Sequence, residues 1–230
     1  MAIAQTPHGP LRSFGRVRSR ALKPRQAALL ADRAAALMLP DPASGPIDPK
    51  ALMPGAAEVW LEIGFGGGEH LSAQAARRPD ALLIGVEPYL NGVASCVRHL
   101  EDMGVGNVRL LQDDARALMA ALPEASLDRV FVLFPDPWPK ARHHKRRLIQ
   151  DDFVEGLARV LKPGGTLRFA TDWADYADWA LQRFNASGRF WWTAEGPGDW
   201  REPRADHVTT RYEEKRLGDC APTFLEFRRT

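Results

Sequence analysis

Apolar residues alternate along the chain between short, nearly continuous runs and longer amphipathic stretches. EVWLEIG (Glu58–Gly64), ALLIGVE (Ala81–Glu87), VRLLQDD (Val108–Asp114), DRVFVLF (Asp128–Phe134) and TLRFATD (Thr166–Asp172) are runs of strand length. Their near-continuous hydrophobicity is the pattern of strands covered on both faces. Between them lie stretches that predict helices: EHLSAQAARR, roughly Leu90–Met103, DDFVEGLARVL closed by Lys162-Pro163-Gly164-Gly165, and ADYADWALQRFNASG. Strands alternating with such helices predict an α/β fold, a Rossmann-like, doubly wound and mostly parallel sheet. RFWWTAEG and TFLEFRR bring the strand count to seven. The long polar stretch between these two lacks a clear helix, so an antiparallel strand is expected at the sheet edge.

Ahead of the core, QAALLADRAAALML (26–39) favours helix and stops at Pro40, and a loop dense in proline and glycine follows. Residues 1–26 are polar and basic and read as a flexible arm, either ordered on binding a partner or simply a disordered tail. The expected organisation is an arm over 1–26, a helix and linker over 27–58, and one domain over 59–230, without internal repeats.

Composition adds little until its distribution is considered. At 230 residues and 45% hydrophobic, the chain suits one globular α/β domain. A net charge of +2 does not announce a polyanion partner. The cations are clustered, however: Arg12, Arg16, Arg18, Arg20, Lys23 and Arg25 in the arm, and a second block from Lys140 to Arg147. Such blocks suit phosphates. Cys96 and Cys220 stand in no metal or redox spacing, so neither a disulfide framework nor a metal is expected. No apolar stretch approaches a membrane span, and the basic N-terminus lacks the apolar core of a secretory signal. A cytoplasmic protein without a membrane partner, monomeric or homodimeric, is the expectation.

In an open α/β sheet, ligands bind at the carboxyl ends of the strands. The first strand ends in Glu62-Ile63-Gly64-Phe65-Gly66-Gly67-Gly68, the second in Glu87, the third in Gln112-Asp113-Asp114. Gly64 and Gly66 allow a tight turn and close approach of a ligand. Glu87 suits the two hydroxyls of a ribose, and Asp114 an adenine amino group. A dinucleotide fingerprint needs a third glycine where Glu69 stands. Without a pyrophosphate to hold, acids such as Glu62 can line the pocket and face the cationic methionine end of S-adenosylmethionine. Each acid taken singly could instead cap a helix.

The fourth strand runs into Phe134-Pro135-Asp136-Pro137-Trp138-Pro139-Lys140-Ala141-Arg142-His143-His144-Lys145-Arg146-Arg147. Two prolines stiffen the backbone around Asp136. Trp138 offers a surface for stacking a base, and the cations that follow suit phosphates. His143 and His144 lack spaced partners for a metal. Trp60, Trp179, Trp191 and Trp192 read as packing residues.

This string resembles, almost residue for residue, the signature of the bacterial tRNA (guanine-N7)-methyltransferase family. Leu11-Arg12-Ser13-Phe14-Gly15-Arg16 is similar to that family's N-terminal arm, Ala170-Thr171-Asp172-Trp173 to its fifth-strand motif, and Thr210-Arg211-Tyr212-Glu213 to its T-x-[FY]-E. The resemblance implies a class I methyltransferase acting on the variable-loop guanosine of tRNA. It implies that Glu62, Glu87 and Asp114 bind S-adenosylmethionine, with Gly64 and Gly66 shaping the pocket. Asp136 would be catalytic, close to cofactor and base. Lys140, Asp172 and Thr210, Arg211, Tyr212 and Glu213 would bind substrate, and Arg142, His143, His144, Lys145, Arg146 and Arg147 would contact RNA. The family commonly has arginine two residues after the glutamate. Here Lys215 holds that place and Arg216 comes one later, so Arg216 carries no assigned role.

Guanine N7 has a lone pair and no proton, so its methylation needs positioning rather than a general base. Asp136 is expected to accept hydrogen bonds from guanine N1–H or N2–H₂, which adenine lacks. Two other functions stay open: an RNA base amino-group methyltransferase, since D-P-P-[YF] motifs occupy the same strand end, and a non-catalytic RNA-binding module on a methyltransferase fold.

Overall fold

A computed structural model describes residues 5–6, 9–10 and 21–230, the first two pairs as a short antiparallel ribbon. The arm motif Leu11–Arg16 and the cations Arg12, Arg16, Arg18 and Arg20 lie outside the described residues. The chain forms two compact units, meeting in sequence at Pro123 and Glu124.

In the first unit, helix α1 spans Pro24–Leu37, two residues earlier at each end than the apolar pattern predicts. Pro24 enters at the first helical position, where a missing N–H costs nothing. Met38 has already turned extended and bridges Leu110, and Leu39 N–H donates to the Leu110 carbonyl at 2.8 Å. After a short helix α2 (Pro49–Leu52), strand β1 (Glu58–Ile63), helix α3 (Glu69–Arg77), β2 (Ala81–Val86), α4 (Leu90–Met103), β3 (Val108–Leu111) and α5 (Ala115–Ala121) alternate. β1 and β3 both pair with β2, in parallel. All six residues of β2 are buried, as the continuous apolar run requires. The strands end in register, with Gly64 N–H on Val86 O and Glu87 N–H on Leu111 O, so the three strand-end loops form one row.

The second unit holds β4 (Leu127–Leu133), a 3-10 turn over Ala141–Arg146, α6 (Asp151–Val160), β5 (Leu161–Thr171), α7 (Ala174–Ala186), β6 (Phe190–Trp192), the single-turn helices α8 (Gly198–Arg201) and α9 (Arg211–Glu214), and β7 (Thr223–Arg229). β5 begins earlier than the predicted Thr166. Leu161 pairs with Leu127, and the next pair is Thr166 with Arg129, so Lys162–Gly165 loop out as a bulge within the strand. Lys162 Nζ pins that bulge to Asp128 Oδ1 at 2.7 Å.

Seven strands in a mostly parallel, mixed sheet with alternating helices realise the expected fold class. The antiparallel pairing expected at the edge is that of β6 with β7. The reversed strand itself is β7, one place in, antiparallel to β5 as well. β6 is only three residues long, and just beyond it Thr193 N–H and Oγ1–H both donate to Glu226 O. Short edge strands resist pairing with other chains. Of the tryptophans expected to pack, Trp60 is buried, but Trp191 on this edge is 70% exposed.

Candidate active site

In the first unit, sequence shapes the strand-end loops through glycine. Gly64, Gly66 and Gly68 adopt φ of 72°, 56° and 85°, a region costing other residues roughly 1–2 kcal/mol each. A Cβ built on Gly64 or Gly66 would meet nothing within 4 Å. The loop thus leaves open space at the strand ends, as a ligand approaching backbone needs. A Cβ on Gly68 would instead strike Cys96 of α4, so that glycine lets the two helices approach.

Glu87 ties this loop down. Its Oε2 accepts from Gly66 N–H at 3.0 Å and its Oε1 from Tyr89 N–H at 2.9 Å. The two bonds orient the carboxylate against the loop. Gly92, in the first turn of α4, allows that turn to lie on the loop, since a side chain there would collide with Gly66 O. Sequence reasoning did not single it out, although a glycine early in a helix invites the question of what lies against it.

Glu62 is only 4% exposed and faces a partner that the sequence reading missed. Its Oε2 lies 2.7 Å from His70 Nδ1, and His70 Nε2 lies 3.1 Å from Gln74 Nε2. Both partners are buried on α3. With the Gln74 amide N–H donating to Nε2, the ring proton sits on Nδ1 and is donated to Glu62. Their spacing, four residues apart and one turn after Glu62, was the available signal.

Asp114 is the N-cap of α5. Its Oδ1 accepts from Arg116 N–H at 2.9 Å, and Arg116 Nη1 lies 3.2 Å from Oδ2. Helix capping and ligand binding are compatible here, because a carboxylate offers about four acceptor directions.

In the second unit, a separate cluster of candidate residues gathers around the end of β4. Phe134 and Trp138 have φ of 52° and 43°, so a strained residue sits on each side of Pro135-Asp136-Pro137. Such conformations persist only where surrounding structure enforces them, and they cluster at functional sites. Phe134 N–H donates to Ala170 O at 2.7 Å, and its ring lies 5.5 Å from that of Tyr212. Asp136 is exposed to solvent on one side, yet the atoms packed around it hinder its hydration and raise its pKa above the ordinary value.

Tyr212 O–H approaches Asp172 Oδ1 at 3.4 Å. Burial, then the charge of Asp172, raises the Tyr212 pKa, and Asp136 acts in the same direction. Asp172 is buried beneath the loop that follows α9: Cys220 N–H donates to its carbonyl, and a side chain on Gly218 would collide with it. Thr210 and Glu213 form a capping box for α9, with Thr210 N–H on Glu213 Oε1 at 2.9 Å. His207 Nε2 lies 2.8 Å from Glu213 Oε2. Burial alone would raise the Glu213 pKa, but the His207 and Thr210 contacts outweigh it and hold it low. The T-x-x-E spacing is itself a capping-box signature. Arg211 is exposed, and Arg216 closes α9 with a left-handed φ of 48°, its side chain in solvent.

The basic string divides in two. Lys140, Arg142 and Lys145 are exposed. Arg146 lies over the Trp138 ring at 4.9 Å and His143 meets its edge at 5.9 Å, so part of the expected stacking surface is already covered. Partial burial and the charges of Arg146, Arg142, Lys140 and Lys145 lower the His143 pKa. His144 turns inward, edge-on to Trp179 at 5.3 Å.

Arg147 corrects the expectation of an RNA contact. It is 1% exposed, with Nε donating to Pro137 O at 2.9 Å and Nη2 to Asp175 Oδ2 at 2.5 Å. A guanidinium buried this way has no access to a phosphate.

A family model described as "Putative methyltransferase" matches residues 56–220. Over 99% of its length the chain is 59% identical to the tRNA (guanine-N(7)-)-methyltransferase of Caulobacter sp. (strain K31), covering 99% of that protein. It is 54% identical, over 95% of its length and 99% of the relative, to the protein of that name from Hyphomonas neptunium. Among solved structures, the 16S rRNA (adenine(1408)-N(1))-methyltransferase from Catenulisporales acidiphilia aligns with a TM-score of 0.54 at 21% identity, over 80% of this chain and 93% of the other. That last likeness is one of fold.

Proposed function

The chain belongs to the tRNA (guanine-N7-)-methyltransferase family, and from that premise we propose that it transfers a methyl group from S-adenosylmethionine to N7 of the variable-loop guanosine of tRNA. The observation that carries this reading is the turn at the end of β4. It presents an accessible carboxylate, Asp136, held by strained backbone immediately before the exposed cations Lys140, Arg142 and Lys145. An acceptor for guanine N–H groups and a set of phosphate partners thus share one rigid segment.

The open glycine loop and the acids around it fit S-adenosylmethionine. Glu87 would hold the ribose, Asp114 the adenine, and Glu62 the cationic methionine end. When bound, the cofactor would supply an electrophilic sulfonium methyl group for the N7 lone pair, leaving S-adenosylhomocysteine and a cationic base as products. The chain's own contribution is positioning and electrostatics. Asp136 orients guanine through N1–H or N2–H₂, and its negative charge favours the cationic product. Tyr212, Asp172 and the capped segment Thr210–Glu213 would line the base, while Lys140, Arg142 and Lys145 would hold phosphates. Among the described residues no helix is long and apolar enough to cross a membrane, and the proposed tRNA substrate supports a cytoplasmic protein.

Nucleoside mapping of tRNA by mass spectrometry, after incubation with protein and S-adenosylmethionine, tests the proposal. The expected product is 7-methylguanosine in the variable loop, absent when that guanosine is replaced. Methyl on an exocyclic amine would favour amino-group chemistry, and tight binding without methylation a binding module. Asp136→Asn should lower turnover by about 10²-fold, the usual size of a lost electrostatic contact, with cofactor affinity changed far less. Full turnover in that variant would rule out the assigned role.

A further inference from the structure

Arg147 ends the basic string, yet it does something different from the residues before it. Its fork joins two elements: Nε holds the Pro137 carbonyl, one residue beyond Asp136, and Nη2 holds Asp175 in the first turn of α7. The guanidinium carbon lies 4.9 Å from the Tyr176 ring and 5.0 Å from that of Trp179. Trp179 is fixed in turn by its Nε1–H on Ile149 O at 2.7 Å, and the Arg183 guanidinium packs on it at 3.2 Å. Burying a cation is unfavourable unless it is paired and hydrogen-bonded. A residue whose task was to meet a phosphate would gain nothing from this arrangement. What it does reach is a turn whose two left-handed residues, Phe134 and Trp138, favour relaxation to another shape.

We infer that Arg147 is a positioning residue, which fixes the Asp136 turn to α7 through the Pro137 carbonyl and Asp175 and takes no part in contacting RNA. This rests on the reading of Asp136 given above. Lysine keeps the charge but lacks the planar fork that satisfies two acceptors at once. A displacement of the turn by about 1 Å is enough to cost on the order of 10²-fold in rate.

The test compares Arg147→Lys and Arg147→Ala with Arg142→Ala in the full chain, measuring tRNA affinity across a salt series and turnover at saturating tRNA and S-adenosylmethionine. For Arg147→Lys we expect tRNA affinity and its salt dependence within about twofold of the parent and turnover reduced about 10- to 100-fold. Arg147→Ala should regain part of its turnover with ethylguanidinium but not with potassium chloride at equal ionic strength. Arg142→Ala should show the opposite split, weaker binding with a salt slope reduced by about one.

If Arg147→Lys behaves like Arg142→Ala, or keeps full turnover, the inference is overturned. Should both Arg147 variants fail to fold, Asp175→Asn replaces them, since that carboxylate is largely in solvent. A several-fold loss of turnover with unchanged tRNA affinity is then expected, and unchanged turnover would overturn the inference. Full activity of Asp136→Asn would remove the reading beneath it. Loss in Asp136→Asn beside an unaffected Arg147→Lys would overturn the positioning role alone.

Discussion

Glu62 permits a separation of scaffold from binding that few buried carboxylates allow. Its observed partner, His70, is 2% exposed, and Gln74 behind it is equally enclosed. Replacing His70 with leucine removes the donor to Glu62 and the acceptor for Gln74 together. A hydrogen bond to a charged group contributes roughly 1.5–3 kcal/mol and a neutral one about 1 kcal/mol, so the loss should approach 3 kcal/mol. At roughly 2–4 °C per kcal/mol for a domain of this size, melting should fall by about 6–12 °C. Glu62→Gln is different, because the amide oxygen still accepts from His70 Nδ1–H. That variant loses only the charge-assisted part of one bond, about 1 kcal/mol, or about 2–4 °C.

Cofactor affinity should follow the reverse order. If Glu62 meets the cationic end of S-adenosylmethionine, removing its charge costs about 1.5–3 kcal/mol of binding, which is on the order of 10- to 100-fold in Kd. Differential scanning fluorimetry supplies the melting temperatures and isothermal titration calorimetry the dissociation constants. The reasoning would be refuted if Glu62→Gln melted as low as His70→Leu while binding S-adenosylmethionine like the parent. Glu62 would then be a structural carboxylate.

Two further outcomes follow from the electrostatics. The low pKa of His143 reflects its crowding and the cations around it, so a polyanion bound there must raise it. NMR titration of His143 with and without tRNA should show an upward shift, and tRNA affinity should increase as pH falls through the bound-state pKa; an unchanged value would place the RNA elsewhere. The Glu213 pKa lies below its ordinary 4.5 in the folded chain, so its stabilising contribution is complete above about that pH and is lost as pH falls through the lower folded-state value. The stability gap between parent and Glu213→Gln, about 1 kcal/mol for a helix cap, should therefore close in acid, and a gap that persists there would refute the ionised-cap account.

What was legible in the sequence, and what was not, follows the range of the interaction involved. Strand-end residues such as Gly64, Glu87 and Asp114 are fixed by a local rule: an apolar run stops, and the next residues face the ligand side of the sheet. The turn around Asp136 was legible for the same reason, since prolines declare its stiffness locally. Arg147 was not. It ends a run of cations in sequence, and only packing against α7, whose Asp175 and Trp179 lie about thirty residues further on, turns its side chain inward. A run of like charges reads as a solvated face unless one member finds a buried counter-ion, and composition cannot say which. His70 shows the opposite limit. Its pairing with Glu62 spans eight residues across a glycine turn, close enough to predict once the turn is built, yet invisible to a periodicity that counts histidine simply as polar. The reversal at β7 escaped in part as well, because the pattern of TFLEFRR marks a strand without marking its direction. Direction comes from the return path through α8 and α9, single turns without a buried apolar stripe, of which α9 alone carries a side-chain cap.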